Sequence, residues 1–168
     1  LMLFFTGISR TSSDIAEKQV KTTKDKTAQL RRMQEMVSEA CHVLTSENED
    51  LDNFGRMLHE TWMLKRSLTD KISNSLIDEI YQVGMENGAL GGKILGAGGG
   101  GFILFYAAPE KQAAIKKALH NLIYVPFKFD DQGCQIIYYA PKEYAPSTYE
   151  KRDFIHLQNQ EQGINLKL

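Results

Sequence analysis

Apolar positions along the chain follow two rhythms. At the start, "LMLFFT", Leu1 to Thr6, is a short continuous apolar run that stops at Gly7, the pattern of a buried strand ending in a turn. "SSDIAEKQV" then opens with Ser and Asp, side chains that accept from free N–H groups at a helix N-terminus. Leu30, Met33, Val37, Cys41 and Leu44 recur at three- and four-residue spacing, which predicts one apolar face of a helix from about Ala28 to Thr45. Lys24, Lys26, Arg31 and Arg32 around it read as its solvated side. Leu51, Phe54, Leu58 and Trp62 mark another helix, with Trp62 in the core, ending in "LKRSLTD". The last of four helical segments starts near Ser75, where Ser75 and Asp78 resemble a capping box, and runs to the terminator Asn87-Gly88.

Beyond Leu95 the rhythm changes. "FILFYAA" reads as a strand, Pro109 opens a helix through Ala113, Ile115, Ala118 and Leu119, and "IYVPFKF" and "CQIIYYA" read as strands around the turn "DDQG". Strands alternating with helices in this order predict an α+β fold, a mostly antiparallel four-stranded sheet covered by helices. That domain occupies residues 1–140. Residues 141–168 are polar and rich in Gln and Asn, and are expected to form a tail.

Composition narrows the function. The chain has 168 residues, 42% hydrophobic side chains and a formal net charge of -1, which suits one globular domain and gives no general attraction for nucleic acid. No stretch approaches the roughly 18 apolar residues of a membrane span. Cys41 and Cys134 are too few for a disulfide framework and are expected to be reduced thiols of a cytoplasmic protein. His42, His59, His120 and His156 stand at no metal-ligand spacing. The chain opens on a strand with Leu before any Met, and is expected to be part of something longer.

The densest signal is "LGAGGGGFILFYA", with five glycines in the six positions Gly96 to Gly101. A dinucleotide fingerprint must follow a strand and open a helix, whereas here a strand follows. "GGK" at Gly91 to Lys93 is not a nucleotide-triphosphate loop: Ile94 stands where Ser or Thr is required, and Asn87 where the first glycine is. Consecutive residues without Cβ can take positive φ, direct amides at an anion and admit another backbone closely. The plain alternative is a hairpin between "GKIL" and "FILFY", yet a hairpin needs only two loop residues. The excess of glycine therefore points to close approach. Lys93 beside the loop is either a phosphate contact or a solvated charge.

"GGKILGAGGGGFILFY" resembles the third motif of the GHMP kinases, small-molecule kinases named for galactose, homoserine, mevalonate and phosphomevalonate. "FFTGISR", "LHETWMLKRSLTDKIS" and "IDEIYQVGMENGALGGKILGAGGGGF" together resemble the branch that phosphorylates D-glycero-D-manno-heptose 7-phosphate. The resemblance covers Leu1 to about Tyr139. It implies a C-terminal domain with a ferredoxin-like elaboration, and transfer of the ATP γ-phosphoryl group to the anomeric hydroxyl of a sugar phosphate in a bacterial cytoplasm.

It further implies that the phosphate loop, the magnesium ligands and the catalytic carboxylate lie in an N-terminal domain, the expected partner that binds ATP and Mg. Gly96, Ala97, Gly98, Gly99, Gly100 and Gly101 then close the cleft beside that loop. Lys65 and Arg10 are implied as sugar-phosphate contacts, with Thr6 and Ser9 positioning Arg10. Without the resemblance, Lys65 and Arg66 are cations opposing a helix dipole. No catalytic or metal-binding residue is expected in this chain. A non-catalytic domain sensing a phosphorylated metabolite is the alternative, and the sequence leaves a homodimer open.

Overall fold

Met2–Phe5 forms the first strand, β1, and alternates as its sequence requires: Met2 and Phe4 are buried while Leu3 and Phe5 are half-buried. The structure is a computed structural model that describes residues 1–9, 17, 20 and 23–138. A 3-10 turn, Thr23–Lys26, leads into α1, Thr27–Thr45, followed by α2, Asp52–Arg66, and α3, Ser75–Glu86. Then come β2, Gly91–Ile94, β3, Phe102–Tyr106, α4, Pro109–Ala118, and β4, Ile123–Val125. The helix expected on "SSDIAEKQV" falls almost wholly outside the described residues, as does the tail 141–168.

The four strands run antiparallel in the order β2-β3-β1-β4. Registers Met2 with Phe105, Phe4 with Ile103 and Ile94 with Ile103 place these side chains on one face. There they join Trp62, Ile77, Ile80, Tyr81 and Ile115 in the core, so helices cover this face as predicted. Phe105 packs against Phe4 edge-on at 6.2 Å and against Tyr81 at 5.9 Å. Gly84 lets α3 lie directly on that ring, because a Cβ there would stand 2.5 Å from it.

One strand differs from expectation. The fourth member of the sheet is "GGKI", and residues 134–138 of "CQIIYYA" are exposed and form no strand. Their β-branched and aromatic content favours a strand only where a ladder and a packed face exist, so propensity misleads here. "IYVPFKF" pairs only over Ile123–Val125, since Pro126 has no N–H for the ladder. Contacts divide the chain into units Leu1–Lys128 and Phe129–Leu168, and all described elements lie in the first.

Helix details refine the sequence reading. Pro109 occupies the first turn of α4, and Gly88 follows α3 with φ +106°, its amide donating to Met85. The cap of α3 is Asn74, not Ser75: its side chain accepts from the Ile77 amide at 3.0 Å, while Ser73 Oγ donates to Asp78 at 2.6 Å. In α1 the buried residues are Met36 and Val43, whereas Val37, Cys41 and Leu44 are exposed. Two apolar stripes share this helix, and packing against α2 buries the one with Met36 and Val43, leaving Leu30 and Met33 of the predicted stripe half-buried. Arg32, expected on the solvated side, crosses to α2 and donates to Glu60 at 2.7 Å as well as to Glu39.

α2 seals the outer edge of β2. Gly55 and Gly91 bring helix and strand into backbone contact, a distance no Cβ would permit. The edge finds side-chain partners there: Tyr81 accepts the Gly92 amide, and Lys65 Nζ donates to the Ile94 carbonyl at 3.5 Å. His59 Nδ1 meets the Tyr81 hydroxyl at 2.7 Å. Burial pushes the Tyr81 hydroxyl up to about 12, partly offset by the Gly92 amide.

Candidate functional site: the glycine loop

The glycines connect β2 to β3, so hairpin and close approach coexist. Gly96, Gly98, Gly99 and Gly101 all have positive φ, +73°, +118°, +75° and +85°. The loop is wedged between two segments. On one side the Gly99 amide donates to the Ile72 carbonyl at 2.8 Å, and a Cβ on Gly98 would stand 2.8 Å from that same oxygen. On the other, the Gly101 amide donates to the Ile8 carbonyl at 2.8 Å, and a Cβ on Gly100 would stand 2.7 Å from the Ile8 side chain. Glycine is needed at Gly98 and Gly100 because neighbouring chain fills the space of a side chain.

The amides therefore do not all converge on one point. Those of Gly99 and Gly101 are taken up by the protein, while those of Gly98 and Gly100 meet no acceptor among the described residues. Both glycines line a cleft of about 300 Å³ with Phe5, Ile8, Ser9, Leu95 and Phe102. Its floor is the second face of the sheet, where the Phe5 and Phe102 rings lie 5.2 Å apart.

The remaining predicted residues separate. Thr6 is buried and anchors the loop: its Oγ1 donates to the Gly101 carbonyl at 2.8 Å and its amide to the same oxygen at 2.9 Å. Ser9 is exposed on the cleft wall. Lys93 lines a different groove, about 280 Å³ between α1 and α2, with Met33, Met36, Phe54 and Met57. Arg10 lies outside the described residues. Lys65 Nζ donates to the Gly96 carbonyl at 2.5 Å. Sequence reasoning missed Ile8, Ile72 and Asn74, whose Nδ2 donates to Gly99 O at 3.4 Å. Only Asn74 carried a signal, as a residue type that caps helices.

Lys65 is pushed from its ordinary 10.5 to about 8, first by burial and then by the like charge of Lys93. Folding thus sheds a proton that the unfolded chain keeps between these values, and stability rises with pH across that window. Urea midpoints of this chain are expected to increase from pH 8 toward pH 10, and Lys65→Met to flatten the rise. Above pH 10 the raised Tyr81 hydroxyl acts in the opposite sense, because only the unfolded state ionises it. A midpoint that is flat with pH in the native chain would contradict this assignment.

Comparison with known proteins matches this architecture. The profile of the family described as GHMP kinases C terminal matches residues 27–124. The chain belongs to the GHMP kinases. This GHMP kinase domain is 31% identical over 121 residues to the D-glycero-alpha-D-manno-heptose 7-phosphate kinase of Campylobacter jejuni subsp. jejuni serotype O:2, covering 71% of the chain and 35% of that protein. It is 29% identical over 126 residues to a mevalonate kinase of Thermococcus gammatolerans, covering 71% of the chain and 37% of that protein. Among solved structures it is similar to L. major mevalonate kinase in complex with R-mevalonate, with a TM-score of 0.60, 26% identity and coverage of 71% of the chain and 37% of that structure. The GHMP kinase domain therefore spans little more than a third of the length of these relatives. Among the described residues no helix is long and apolar enough to cross a membrane.

Proposed function

We propose that this chain is the substrate-side domain of an ATP-dependent sugar-phosphate kinase acting on the anomeric hydroxyl of D-glycero-D-manno-heptose 7-phosphate. The observation that carries the reading is the glycine loop, in which Gly98 and Gly100 line a cleft and their amides meet no acceptor among the described residues. Amides without acceptors suit phosphate oxygens. The similarity to a heptose 7-phosphate kinase supports the sugar, and three motifs in the same order support the branch.

Phosphoryl transfer depends on positioning and on neutralising charge around the β- and γ-phosphates, which ATP-bound magnesium supplies. Among the described residues no group of three or more His, Cys, Asp and Glu gathers. In this reading the magnesium and the catalytic carboxylate belong to the N-terminal domain of the same protein, and Gly96 to Gly101 form the opposing wall. Lys93 adds positive charge near the loop, since its ammonium is close enough to depress Lys65. Arg10, Thr6 and Ser9 lie on or just past the segment that the loop holds, and Arg10 offers a fork suited to the sugar's phosphate.

Two outcomes follow. The complete protein is expected to turn over heptose 7-phosphate with ATP-magnesium in preference to mevalonate or fucose, while this chain alone shows no turnover. Arg10→Ala is expected to raise the KM for the sugar phosphate far more than that for ATP, read by steady-state kinetics. Equal turnover of mevalonate, or phosphate binding without any turnover in the complete protein, would reject the reading; the second result would favour a metabolite-sensing domain.

A further inference from the structure

We infer that Lys65 is a positioning residue that clamps the first half of the glycine loop to α2. Its ammonium donates to two carbonyls, Ile94 O at the end of β2 and Gly96 O at the start of the loop. The rest of the loop is held at its far end, where Gly99 is tied to Ile72 and Gly101 to Ile8 and Thr6. Among the described residues Gly96 has no such backbone support. A Cβ built on it meets nothing within 4 Å, its φ is +73°, and Lys65 is the one described side chain that bonds to it.

The placement is electrostatically unfavourable in itself. Lys65 forms no ion pair among the described residues, the charge that acts on it is the like-signed Lys93, and it is partly desolvated. Arg66, next along α2, is by contrast paired with Asp78 at 3.0 Å. An aliphatic side chain would fill the same place without a partly desolvated cation. What the ammonium contributes is charge-assisted bonding to two carbonyls that have no other partner among the described residues, one on a sheet edge and one on the first turn of the loop. Fixing Gly96 fixes the approach to Gly98, which lines the cleft.

The kinetic part of this inference rests on the kinase reading above, whereas its structural part does not. In the complete protein, Lys65→Met is expected to accelerate hydrogen exchange of the loop peptide Leu95–Phe102 by about tenfold or more, with α2 and α3 little changed. Turnover of the sugar phosphate is expected to fall roughly 10- to 100-fold in kcat, with its KM nearly constant, and Lys65→Arg to recover part of the loss. Should Lys65→Met fold poorly, Lys65→Gln, which keeps a shorter donor, takes its place in both measurements. Unchanged loop exchange, or acceleration spread equally through α2 and α3, overturns the clamp. So does a raised KM at preserved kcat, which would make Lys65 a substrate contact. If the unaltered protein does not phosphorylate the sugar but Lys65→Met still frees the loop selectively, the kinase reading fails and the clamp stands.

Discussion

Gly91→Ala is expected to destabilise the chain by about 3 kcal/mol or more, read as a lowered urea midpoint. The added methyl would overlap the Gly55 carbonyl oxygen and stand 2.6 Å from the His59 amide nitrogen, both backbone atoms in the body of α2. A flexible side chain could rotate away, but a helix backbone cannot. Relief requires α2 to lift from β2, which breaks the Lys65 bond to Ile94. Gly7→Ala is the control: Gly7 has φ +77° but nothing within 4 Å of a built Cβ, so it pays only the cost of a left-handed conformation, about 1–2 kcal/mol. Equal losses at both positions would show that the helix-to-strand contact contributes nothing special.

Gly99→Val is the second large effect, and it is expected in catalysis. Gly99 holds φ +75°, where a β-branched residue is a steric outlier, and its amide is committed to Ile72. Valine must push the loop out of register with the segment before α3. In the complete protein a displacement of this kind is expected to lower turnover on the order of 100-fold, while the fold survives because Gly99 lies outside the main hydrophobic cluster. Circular dichroism and a urea midpoint close to that of the unaltered protein, measured beside kcat, separate the two. Near-normal kinetics in the folded variant would remove the loop from the active site.

Local signals in the sequence carried most of the fold. Pro109, Asn87-Gly88 and the period shift after Leu95 act through the backbone of their own neighbours, so they read correctly without tertiary context. Val37, Cys41 and Leu44 misled because α1 carries two apolar stripes, and only its packing against α2 decides between them. "CQIIYYA" misled because a β-prone run without a ladder partner has no reason to pair. At the site, glycine density revealed a close approach but not which amides it consumes. The carbonyls of Ile8 and Ile72 do that, and a backbone carbonyl leaves no mark in a sequence. The Lys65 bonds to the loop were hidden for the same reason, as was the facing pair Gly55 and Gly91.

The covering of β2 by α2 also bears on how copies of this fold can associate. Of the two outer strands, β2 has its free Gly92 amide and Ile94 carbonyl occupied by Tyr81 and Lys65 and a helix laid against it. β4, only Ile123–Val125 and followed by Pro126, has no second strand neighbour among the described residues. An assembly grown by joining sheets edge to edge needs two open sides on every unit. With one side shut among the described residues, edge-to-edge joining of this sheet through β4 would end at a pair rather than continue as a fibril.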